Sequence, residues 1–61
     1  MNIETTETKY EIEYEGGYLA RTYVGDYGTH TEWFKGDHFI ETNLIPDHLI
    51  EANDEKIEEI I

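Results

Sequence analysis

The sequence predicts an α+β fold: a small antiparallel sheet of three to four strands packed by one C-terminal helical segment, with a further terminal strand as a variant. Three observations carry this expectation. The aromatic residues all lie between positions 10 and 39, in runs of period two separated by glycine turns, as in half-buried strands. Beyond Asn43 the apolar residues take helical spacing. The chain has 38% apolar residues and 13% aromatics, too many for a disordered acidic tail despite a net charge of −11.

Residues 1 to 8 read as a loose arm and residues 9 to 61 as one domain. In "KYEIEYE", 9 to 15, Tyr10, Ile12 and Tyr14 alternate with Glu11, Glu13 and Glu15, which predicts a strand with a glutamate ladder on its outer face. Gly16 and Gly17 predict a two-residue hairpin turn with positive φ. The return strand is "YLARTYV", 18 to 24. If Glu15 faces Tyr18, then Tyr14 faces Leu19, Ile12 faces Arg21 and Tyr10 faces Tyr23.

"GDYG", 25 to 28, is a second turn, leading into the strand "THTEWF", 29 to 34. Here two registers stay open. A four-residue loop sets Glu32 opposite Arg21 and Phe34 opposite Leu19, whereas a glycine bulge turns Trp33 inward. "KGD", 35 to 37, is a further turn, and "HFIET" extends the sheet as a fourth strand or edge.

Pro46 and Asp47 suit the start of a helix, with Leu49, Ile50, Ile57, Ile60 and Ile61 near one stripe and Glu51, Asp54, Glu55, Glu58 and Glu59 opposite. The segment is either one helix from 46 to 61 or a shorter helix ending near Asn53 followed by a strand "KIEEII".

Fifteen acidic residues against four basic ones repel nucleic acid and anionic membrane. The absence of cysteine removes disulfides and thiolate metal sites, and the chain reads as a soluble, cytoplasmic protein with no signal peptide or membrane span. Catalysis is not expected: there is no cysteine or serine nucleophile and no phosphate-cradling loop, and a 61-residue chain has little room for a water-excluding cleft. His30-x-Glu32 and His38-x-x-Glu41 could chelate a metal, but no recognised zinc spacing is met, so no metal or cofactor is expected.

Tyr and Trp left at a surface and ringed by charge anchor protein interfaces. Carboxylates spaced along strands and a helix imitate the phosphate rows of DNA, and electrostatic steering would draw such a surface into the basic groove of a DNA-binding enzyme. The candidate partner contacts are Glu11, Glu13 and Glu15 on the first strand, Asp26 and Tyr27 at the second turn, Glu32, Trp33 and Phe34 on the third strand, and Asp37 and Glu41 beyond it.

The run "YLARTYVGDYGTHTEWFKG", 18 to 36, followed by "PDHLIEANDEKIEEII", 46 to 61, resembles the small phage-encoded uracil-DNA glycosylase inhibitors of the podophage type. The resemblance implies a homodimer that mimics DNA, each copy having a three-stranded sheet and a helix, and that grips an apolar side chain of the glycosylase. Glu32 in "TEWFKG" falls on the family's glutamate, and Trp33 and Phe34 on its aromatic neighbours. Two features depart from the pattern. His48 and Ala52 stand where the family's helix carries pocket aromatics, and the N-terminal strand and several residues before Pro46 are extra.

Overall fold

Alternation, glycine turns and a helical tail build the expected α+β architecture. The computed structural model describes residues 7–61. Strands β1 (Glu7–Tyr14), β2 (Tyr18–Gly25), β3 (Gly28–Lys35) and β4 (His38–Ile40) form one antiparallel meander in the order β1-β2-β3-β4. A short 3₁₀ turn, Thr42–Leu44, then leads into helix α1 (Asp47–Ile60). Strand β1 begins at Glu7, two residues earlier than the alternation predicts, and the rest of the predicted arm lies outside the described residues.

The first turn differs from the sequence expectation by one residue, and that difference decides which side of the sheet every later strand residue faces. Glu15 joins Gly16 and Gly17 in a three-residue turn, so Tyr14 rather than Glu15 pairs with Tyr18. Both glycines do take positive φ, 79° and 81°. A side chain at Gly16 would in addition come within 3.1 Å of the Tyr18 ring. Ile12 now faces Ala20, not Arg21. The physical reason is burial: the two-residue turn would put the Arg21 guanidinium beside Ile12 under the helix, with Glu32 opposite it, and Trp33 out in solvent, exchanging an apolar core for a desolvated ion pair.

At the second turn the register of the four-residue reading is correct, with Arg21 facing Glu32 and Leu19 facing Phe34, although Gly25 and Gly28 pair as strand ends and leave only Asp26 and Tyr27 in the turn. Trp33 nonetheless points inward, because the slip at the first turn has already reversed β2 and β3 relative to β1. No bulge is needed. The covered face presents Ile12, Ala20, Trp33 and Ile40 in one cross-strand row and Tyr14 beside Tyr18 in the next. Ala20, Trp33, Ile45 and Leu49 are the buried centre, with Tyr14, Tyr18, Ile40 and Ile50 against it. The rings of Tyr14 and Trp33 lie 5.8 Å apart.

Helix α1 runs unbroken to Ile60, so residues 54 to 61 form neither a second segment nor a strand. Its buried stripe is Leu49, Asn53 and Ile57, spaced four apart, while Ile60 and Ile61 are exposed. Asn53 is not a helix end but a core residue. Its Oδ1 accepts from the Tyr14 hydroxyl at 2.9 Å, and its amide nitrogen lies 3.5 Å from Thr22 Oγ1, which in turn sits 2.9 Å from Thr31 Oγ1. Among the described residues no buried side-chain polar atom lacks a partner. The network fixes the helix at one height over the sheet, since a shift of one residue would bury the amide without its partners.

Burial, followed by the nearby Asp54 carboxylate, raises the Tyr14 pKa. The folded state therefore holds this proton more tightly than the unfolded chain. The corresponding stability is present below the unfolded tyrosine value of about 10 and is lost as pH rises through the higher folded value. Urea midpoints measured across that window should fall more steeply for the wild type than for Tyr14→Phe; parallel slopes would show that Tyr14 contributes nothing to alkaline unfolding.

Candidate partner-binding surfaces

Because the helix covers one face of the sheet, the other is left open, and the register dictates what stands there. One row across it is Glu13, Leu19, Phe34 and Phe39, and the next is Glu11, Arg21 and Glu32. A third is Lys9, Tyr23 and His30, where the Tyr23 and His30 rings stack at 6.5 Å.

Arg21 is the organising cation of this face. Glu11 Oε2 accepts from its Nε at 3.3 Å and its Nη2 at 3.1 Å, while its guanidinium carbon lies 4.7 Å from the centre of the Phe34 ring. The bond to Glu11, ahead of other influences, raises the Arg21 pKa. Lys9 also approaches Glu11, at 3.9 Å. Glu32, although it faces Arg21 across the strands, takes part in none of the ion pairs among the described residues. Phe39 meets Phe34 edge-on at 5.7 Å and is 62% exposed.

The predicted contacts divide by position. Glu11, Glu13, Glu32 and Phe34 come together on the open face. Trp33 must be removed from the candidates, since only 3% of it is exposed: a residue buried between sheet and helix cannot meet a partner without unfolding. Asp26 and Tyr27 sit at the turn between β2 and β3, and Tyr27 is almost fully exposed. Glu15 and Asp37 lie at the other end, where the first and third turns meet through a bond from the Gly36 N–H to the Gly17 carbonyl at 3.0 Å. A cleft of about 400 Å³ lies there, lined in part by Glu13, Leu19 and Asp37. Glu15 also approaches His48 Nε2 at 3.4 Å, linking the first turn to the start of the helix. Glu41 is exposed just past β4.

A second charged surface stands on the opposite side of the molecule. Asp47, Glu51, Asp54, Glu55, Glu58 and Glu59 are all exposed on α1. At 3.6 residues per turn they fall within an arc of about 140° facing away from the sheet. The helical period in the sequence already places most of them there, but they are missing from the candidate contacts, since a charged outer face is also what any solvated helix shows. Half-buried Leu19 and exposed Phe39 are also missing, since their place on the open face follows from the observed pairing. Among the described residues no three His, Asp or Glu side chains gather in a metal-holding group, and none of the helices is long and apolar enough to cross a membrane. No protein-family model, curated protein or solved structure matches this chain.

Proposed function

We propose that this chain is an acidic DNA-mimicking inhibitor, phage-encoded and acting in the host cytoplasm, that occupies the DNA-binding groove of a host enzyme. The observation that carries the reading is the charge spacing on α1. Six carboxylates from Asp47 to Glu59 span twelve residue steps, about 18 Å of axis at 1.5 Å per residue, or about one charge per 3.6 Å. One strand of DNA carries a phosphate about every 3.4 Å along its axis. A groove that neutralises a phosphate row would meet a comparable linear charge density here, on a support that cannot be cleaved or unwound.

Uracil-DNA glycosylase is the target implied by the sequence resemblance, which also implies a homodimer. A nuclease or other nucleic-acid enzyme, as in anti-CRISPR or anti-restriction inhibition, is favoured instead by His48 and Ala52. Both lie on the helix without the aromatic rings that would make an apolar pocket.

The test is inhibition of uracil excision from a duplex, with the wild type, Glu51→Gln/Glu55→Gln/Glu59→Gln and Glu32→Lys compared at low and moderate salt. The wild type should inhibit, less so as salt rises, and the triple variant should lose about tenfold or more through slower association. Glu32→Lys, on the opposite side of the molecule from the helix row, should leave the fold intact because Arg21 is already held by Glu11, and should change inhibition far less than the triple variant. Full inhibition by the triple variant would rule out the helix row as the mimic. No inhibition by the wild type would remove this target and send the search to nucleases or to a plain acidic interaction domain.

A further inference from the structure

The open face contains a cation site that the protein fills itself and, beside it, the components of another that it leaves empty. In the filled site, the Arg21 guanidinium lies 4.7 Å from the Phe34 ring centre and is bonded by Glu11. Phe39 stands next to Phe34, with Asp37 and Glu41 two residues away on either side along its own chain. Glu32 lies diagonally across on β3, within reach of a long side chain. No cation of the chain stands over the Phe39 ring among the described aromatic contacts, and Glu32, Asp37 and Glu41 take part in none of the described ion pairs.

We propose that Phe39, Glu32, Asp37 and Glu41 form a docking site for an arginine side chain of a protein partner. An exposed ring with Asp37 and Glu41 as near neighbours along its chain and Glu32 diagonally across would offer a guanidinium both of its preferred contacts, a stacked face and in-plane acceptors. A lysine ammonium is a compact, strongly hydrated charge and uses only part of that arrangement. The charge of −11 favours a cationic protein over nucleic acid. It also disfavours a second copy. The chain has a single arginine, Arg21, and that residue is committed to Glu11 and Phe34. The inference does not depend on which enzyme the helix row engages, because it concerns the other side of the molecule.

The test is an amide-resolved NMR titration of the whole chain with a short acetylated peptide carrying two arginines and with its two-lysine counterpart. The arginine peptide should move the signals of residues 32 and 37 to 41 ahead of those of the helix, and bind about two- to fivefold more tightly than the lysine peptide. Phe39→Leu should erase that preference, and Glu32→Gln/Glu41→Gln should weaken both peptides. Phe39 is mostly exposed, so preserved signal dispersion in its variant will separate lost binding from lost folding. Equal binding of the two peptides, shifts confined to the helix, or an arginine preference that survives Phe39→Leu would each overturn the proposal. Shifts of the same residues on raising protein concentration without peptide would overturn it too, by showing that a second copy covers the face.

Discussion

Trp33→Ala should leave the chain unfolded or nearly so at room temperature. Trp33 is 3% exposed, shares the buried centre with Ala20, Ile45 and Leu49, and packs at a tilt against the Tyr14 ring. Truncating a buried tryptophan costs about 3 to 5 kcal/mol. A domain of this length holds in total only about 3 to 9 kcal/mol at the usual stability per residue. The loss is therefore comparable to everything the fold has. The neighbouring change Phe34→Ala, on the open face, should cost about 1 kcal/mol, within the range of ordinary substitutions. Urea unfolding followed by far-UV circular dichroism checks the pair. A well-folded Trp33→Ala together with an unfolded Phe34→Ala would mean that the sheet faces are the reverse of those described.

Asn53→Leu should be the next most damaging, for a polar rather than an apolar reason. Leucine shares the branching of asparagine but is larger, so no cavity opens and the buried site is somewhat overpacked, while the Tyr14 hydroxyl loses the acceptor that Asn53 Oδ1 supplied. A part-buried hydroxyl left without a partner costs about 1 to 3 kcal/mol. Removing both polar groups should be cheaper than removing one: Asn53→Leu/Tyr14→Phe should regain a good part of that loss, because no orphaned donor remains. If the double variant is instead as unstable as the sum of the singles, the two side chains act independently and the hydrogen bond does not lock the helix. The readout is again the urea midpoint, with the slope compared to confirm that the unfolded state is unchanged.

Much of this fold was legible in the chain because its local signals agree. The alternation from Tyr10 to Tyr14, the paired glycines and the helical spacing after Pro46 each indicate the correct element. The register was not legible, because it depends on whether Glu15 belongs to the strand or to the turn, and nothing local to Glu15 distinguishes the two. Only the distant requirement that Arg21 stay out from under the helix decides it. Asn53 was misleading for a related reason. Asparagine tolerates a helix end, but here a tyrosine 39 positions earlier in the sequence makes it a core residue. On the surface, Glu11 and Glu13 were recognisable as one face from their period, whereas Glu32 joins them only through the corrected register and Phe39 gained its place only through its pairing with Phe34. The helix carboxylates were visible in the same period but gained significance once their spacing could be set against that of a phosphate row.

Strand β3 runs eight residues, but β4 pairs only with Trp33, Phe34 and Lys35, so Gly28–Glu32 lies along an uncovered edge. β1 forms the other edge of the sheet. A ribbon with two such edges is a template for adding strands from its own copies. Taken further, to an in-register fibril in which each chain lies flat in its own layer, such addition would set each of the fifteen acidic side chains about 4.8 Å from its twin in the next layer. Each such pair costs about 0.9 kcal/mol even in water before salt screens it. Fibrillar growth is thereby held off by the whole acidic inventory rather than by any single guarding residue, and the same charge that would draw in a basic enzyme keeps an open-edged sheet soluble in its own company.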